Sequence, residues 1–128
     1  MNMNFALCQK AFHAMLSALA GLACATAPSA AQNWPQRTIT IIVSQPAGNS
    51  PDVAARLLAE RMSGELKQGV IVENRPGGAN VPGTLAVTRA APDGYTFLFA
   101  TTASVVSNVF LVKGLSYDPL KDLTPVAY

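Results

Sequence analysis

The chain has 128 residues, half of them hydrophobic and 12% charged, with a formal net charge of +2. This length suits a single domain. The basic residues are scattered from end to end, with no run and no aromatic interleaving, so nothing in them makes a nucleic-acid-binding stripe.

Residues 1–31 do not read as part of the fold. Lys10 is their only formal charge, the stretch from Ala11 to Ala25 is almost wholly apolar and small, and Ser29-Ala30-Ala31 follows. This is the pattern of a secretory signal peptide cut before Gln32. The apolar run is shorter than the roughly 20 residues that span a bilayer. A lipidation motif at Cys24 would need Leu where Gly21 stands.

Cutting there removes Cys8, Cys24 and His13, both cysteines and the one histidine of the chain. The remainder, residues 32–128, then has no intramolecular disulfide, no Cys or His zinc ligand and no Cys nucleophile or His-based triad. Its charge is eight Lys plus Arg against seven Asp plus Glu, a net of +1.

In chain order, Thr38 to Val43 is rich in β-branched residues and reads as a buried parallel strand. A short loop of small residues follows. Ser50 suits a helix N-cap, Pro51 the first helical position and Asp52 the first turn. Val53, Leu57, Leu58, Met62 and Leu66 then form an apolar stripe at helical spacing. Gly69 marks the helix end, and Val70–Val72 reads as a second strand. Asn74 to Asn80 is a loop by composition. Pro82 to Ala91 reads as a short helix, Ala91-Pro92-Asp93-Gly94 as a turn and Tyr95 to Ala100 as a third strand. Thr101–Ala103 is a second polar loop, and Ser104 suits the cap of a helix through Val105, Val106, Val109 and Phe110. Lys113 to Pro125 is irregular, and Val126–Tyr128 resembles a strand beginning. The β-α-β-α-β-α order predicts an α/β domain with a mainly parallel sheet.

In such sheets ligands bind beyond the carboxyl ends of the strands. Pro46 to Asp52 and Thr101 to Ser104 are the loops at that edge, and each leads into a helix. The first N–H groups of a helix lack internal partners and carry partial positive charge, so they can hold a carboxylate without Lys or Arg. Gly48 admits close backbone approach; Asn49, Ser50, Thr101, Thr102 and Ser104 add side-chain donors. The bland alternative is that Ser50-Pro51-Asp52 is merely a good helix start. Arg75 to Asn80 is either a glycine-rich nest or an ordinary surface turn. No G-x-G-x-x-G follows the first strand and no P-loop is present, so no nucleotide cofactor is expected. No catalytic constellation is visible.

Several stretches together resemble one family. They are T-I-I-V-S-Q-P-A-G-N-S-P-D, V-I-V-E-N-R-P-G-G-A-N, A-A-P-D-G-Y-T-F-L-F-A-T-T-A-S and Y-D-P-L-K-D-L-T-P-V-A. The sequence from Trp34 onward resembles the Bug family, the periplasmic substrate-binding proteins of tripartite tricarboxylate transporters. The resemblance implies a two-domain receptor that closes on a small carboxylate and passes it to membrane transporter subunits. It also implies ligand loops at Ala47, Gly48, Asn49, Ser50 and Asp52 and at Thr101, Thr102 and Ser104. Where the family carries consecutive glycines this chain has Asn49-Ser50-Pro51, and Ser44-Gln45 replaces a Pro–aromatic pair. The family's mature chain is about three times as long. Residues 32–128 would then be the N-terminal part of the first domain, with apolar surface left uncovered. The competing readings are a truncated, non-binding product of the same family and a small secreted hydrolase; the second conflicts with the absence of Cys and His beyond residue 31.

Overall fold

The computed structural model describes residues 34–127; the proposed signal peptide lies outside them, as does Tyr128. The elements run β1 (Ile39–Val43), α1 (Ser50–Leu66), β2 (Val70–Asn74), a 3-10 turn (Gly78–Asn80), α2 (Val81–Thr88), β3 (Thr96–Phe99), a π-helical turn (Ala103–Ser107), α3 (Asn108–Leu111) and α4 (Pro119–Asp122).

The three strands form one parallel sheet in the order β2-β1-β3. Ile41 sits opposite Val72 on one side and Phe97 on the other; Val43 sits opposite Asn74 and Phe99. β1 is central and covered on both faces, which is why its apolar run is nearly unbroken. On one face Ile41 and Val43 form the core with Ala55 and Ala59 of α1, and Met62, Val70, Val72, Phe97 and Phe99 pack around them. Alternation turns Ile42 and Ser44 to the opposite face. There α2 crosses closely: a Cβ built on Gly83 would stand 2.6 Å from Ser44 Cβ and 2.9 Å from the Arg75 carbonyl oxygen. The helices after β1 and β2 thus cover opposite faces, which makes the β1/β3 boundary a topological switch point.

The inward face of α1 differs from the predicted stripe. Asp52, Ala55 and Ala59 are buried, whereas Val53, Leu57 and Leu58 are exposed. Positions 52, 55, 59 and 62 also repeat at helical spacing, and the small alanines let α1 lie close over the β-branched residues of β1. Only Met62 of the predicted stripe packs on the core cluster. The helix ends not at Gly69 but at Lys67, which adopts the left-handed conformation at φ 53°. The Gly69 carbonyl instead accepts from Ile39 N–H at 2.9 Å and starts the sheet ladder.

β2 runs two residues further than predicted, because β1 offers partners for Glu73 and Asn74. The second helix begins at Val81 and stops at Thr88, short of the predicted Ala91. The supposedly irregular stretch after Lys113 holds α4, capped by the Asp118 side chain on Leu120 N–H and started by Pro119. Val126 and Ala127 form no strand. Large apolar side chains stand exposed at Phe110 (83%), Leu111 (77%) and Leu120 (92%).

Candidate functional site

The loop after β1 is folded by a chain of local hydrogen bonds. Gly48 takes φ +87°, a conformation glycine adopts without strain. Asn49, not Ser50, is the N-cap of α1: its Oδ1 accepts from Asp52 N–H at 3.2 Å. Its amide nitrogen donates to Gln45 Oε1 at 2.7 Å. Ser50 and Pro51 are therefore the first two helical residues, and Pro51 still falls where a missing N–H is harmless.

Asp52 is the hub of this loop. It is 2% exposed. One carboxylate oxygen accepts from Gly48 N–H at 2.8 Å and Arg56 Nε at 3.1 Å; the other accepts from Asn74 Nδ2 at 2.8 Å and pairs with Arg56 Nη2 at 3.0 Å. The hydrogen bond from Arg56, then those from Gly48 and Asn74, hold its carboxyl down at a pKa of about 2. Its charge is thus met inside the protein, and Gly48 N–H points at Asp52. The N–H groups of Ala47, Asn49 and Ser50 take no part in this set of bonds.

The loop after β3 leaves the same edge of the sheet from the neighbouring strand. Thr101 N–H donates to Ser104 Oγ at 3.0 Å, and Ser104 N–H donates back to Thr101 Oγ1 at 3.4 Å. This is the reciprocal pattern of a capping box. Ser104 is accordingly not the cap the sequence suggested. It lies inside the π-helical turn, fully buried, and its hydroxyl donates to the Thr101 carbonyl at 2.8 Å. Thr102 is exposed. Single π turns within helices recur at functional sites.

A third segment joins this loop. Ala79 and Asn80 both take left-handed backbone conformations, at φ 52° and 62°, which bulky residues rarely adopt. Asn80 Nδ2 reaches Thr101 Oγ1 at 3.5 Å. Buried Asn108 donates to the Ala79 carbonyl at 2.5 Å and to the Tyr117 hydroxyl at 3.1 Å. Tyr117 in turn donates to the Ser104 carbonyl at 2.6 Å. The stretch that read as a surface turn is therefore tied to the second loop by side chains far away in sequence. Arg56, Asn74, Asn108 and Tyr117 were not singled out from the sequence. Asn74 and Tyr117 carried a signal only through their places in V-I-V-E-N-R-P-G-G-A-N and Y-D-P-L-K-D-L-T-P-V-A; Arg56 and Asn108 carried none.

A shallow depression of about 480 Å³ lies elsewhere, on the outer side of α1 among Leu57, Glu60, Arg61, Gly64 and Glu65. Its two glutamates disfavour an anion. Among the described residues no three His, Cys, Asp or Glu side chains gather as a metal site, and no helix is long and apolar enough to cross a membrane.

Comparison with known proteins bears on the family and the fold. A family described as "Tripartite tricarboxylate transporter family receptor" matches residues 54–128. The chain is 41% identical to a UPF0065 protein of Bordetella bronchiseptica, over 99% of this chain and 40% of that protein. It is 40% identical to the protein BugT of Bordetella pertussis, over 86% and 33% of the two chains. Among solved structures, MatC from Rhodopseudomonas palustris with bound malate aligns at TM-score 0.70 and 35% identity, covering 73% of this chain and 32% of that one. A second R. palustris protein, with adipate, aligns at TM-score 0.62 and 33% identity, covering 69% and 29%. The chain thus spans 40% or less of these relatives' length. Its described residues hold an α/β part of that architecture and not the second domain. The matched family is one of receptors rather than catalysts, and this chain belongs to it: the tripartite tricarboxylate transporter receptor family.

Proposed function

We propose that the chain is the N-terminal portion of a periplasmic receptor for a small carboxylate, exported through residues 1–31 and feeding a tripartite tricarboxylate-type transporter. The observation that carries this reading is the placement of two helix-starting loops, 46–52 and 101–104, beyond the ends of neighbouring parallel strands at the switch point. The malate- and adipate-bound relatives support the choice of ligand class. Within the site, the N–H groups of Ala47, Asn49 and Ser50, together with the side-chain hydroxyls of Thr101 and Thr102, are the donors we assign to the carboxylate. Asp52, Gly48 and Ser104 shape the two loops.

A ligand that binds only the folded state stabilises it, by about 2.7 kcal/mol at a hundredfold excess over Kd. Thermal melts of the chain with increasing malate or adipate are expected to shift upward with concentration. A flat Tm across millimolar concentrations of both would favour a family member that does not bind.

A further inference from the structure

The first loop is held from outside as well as from within. Asn74, at the end of β2, donates from one amide nitrogen to Asp52 at 2.8 Å and to the Gln45 carbonyl at 3.1 Å. It thereby bridges both ends of the loop. Its oxygen accepts from Arg56 Nη2 at 3.0 Å, while the same guanidinium also engages both carboxylate oxygens of Asp52. Arg56, Asn74 and Asp52 close a triangle, and Gly48 N–H hangs from its Asp52 corner. Arg56 and Asn74 both lie outside residues 46–52 and act on the loop through the Asp52 carboxylate, Asn74 also through the Gln45 carbonyl.

From this arrangement we infer that Arg56 and Asn74 are positioning residues for ligand binding, an inference resting on the receptor reading above. Arg56 has a second task. Asp52 is a carboxylate in the first turn beneath a loop proposed to take another carboxylate, and like charges repel. The guanidinium neutralises Asp52 where an anion must approach, and its planar fork suits two carboxylate oxygens at once. Asn74 fixes the loop's path without adding charge.

The test uses the full chain with malate and adipate as probes, measured by calorimetric titration well below the melting temperature, alongside exchange of the Gly48 amide. Arg56→Gln and Asn74→Ala are each expected to weaken binding by roughly tenfold, the loss of one to two charge-assisted or bridging hydrogen bonds, and to speed Gly48 amide exchange. Arg56 is half exposed, so its variants keep the core intact. Arg56→Lys keeps the charge without the fork and is expected to recover part of the affinity. Unchanged affinity in both variants, with faster Gly48 exchange, would show the triangle to be structural only and overturn the inference while leaving the receptor reading in place. Absence of binding by the unaltered chain would overturn both.

Discussion

Gly83→Ala is expected to destabilise the fold by about 3 kcal/mol, at the upper end of the range for overpacking a core, and to lower Tm by roughly 10–20 °C. The reason is local and severe. The added methyl carbon would stand 2.6 Å from Ser44 Cβ, 2.7 Å from Ser44 Cα and 2.9 Å from the Arg75 carbonyl oxygen. Two of those atoms are backbone, so no flexible side-chain end can move aside. Relief requires α2 to lift from the sheet at the point where β1 ends. Gly64 is the natural control. It lies within α1, where an added Cβ meets nothing within 4 Å, and Gly64→Ala is expected to stabilise by about 1 kcal/mol through helix propensity alone. Paired thermal melts of the two variants separate close packing from propensity. Equal behaviour would refute the tight α2–β1 contact.

Asp52→Asn should be the most damaging change in the first loop, lowering Tm by roughly 10 °C and removing part of the acid sensitivity. The substituted amide presents an NH₂ group to donors on Gly48, Arg56 and Asn74, which leaves buried groups without acceptors. The Asp52 carboxyl titrates near 2 in the folded chain against an ordinary value of 3.8. A depressed carboxyl contributes stability above its unfolded pKa and loses it as pH falls through the folded one. That contribution is therefore complete above about pH 5 and disappears between roughly pH 4 and 2. Asp118, held low chiefly by its hydrogen bond from Lys121, acts in the same direction. Tm measured from pH 6 to pH 2 should fall steeply for the unaltered chain and less steeply for Asp52→Asn. Identical slopes would mean that Asp52 is not the acid-sensitive hub.

Much of this architecture is legible in the residues. The β-branched run ending at Val43 announced a central parallel strand, and alternating strands and helices announced the α/β class. The misread face of α1 has a physical cause. Large apolar residues dominate any periodicity judged by hydrophobicity, yet close packing on Ile41 and Val43 favoured Ala55 and Ala59. The cap was misplaced by one residue because Asn49 and Ser50 are both good caps. Capping by Asn49 also leaves Asp52 at the third helical position, from which it reaches back to Gly48. Both loops were visible from their small polar residues. Their supports were not, because Asn74, Asn108 and Tyr117 act across 22 to 29 residues of sequence or through backbone carbonyls. Only a fold can bring such partners together.

The most direct test of the carboxylate cradle is a titration of the ¹⁵N-labelled chain with malate or adipate, followed amide by amide. Saturable shifts are expected at Ala47, Asn49 and Ser50 and at Thr101 to Ser104, with the outer side of α1 around Glu60 and Glu65 unmoved. Shifts centred on that outer side, or no shift at either loop at saturating dicarboxylate, would contradict it.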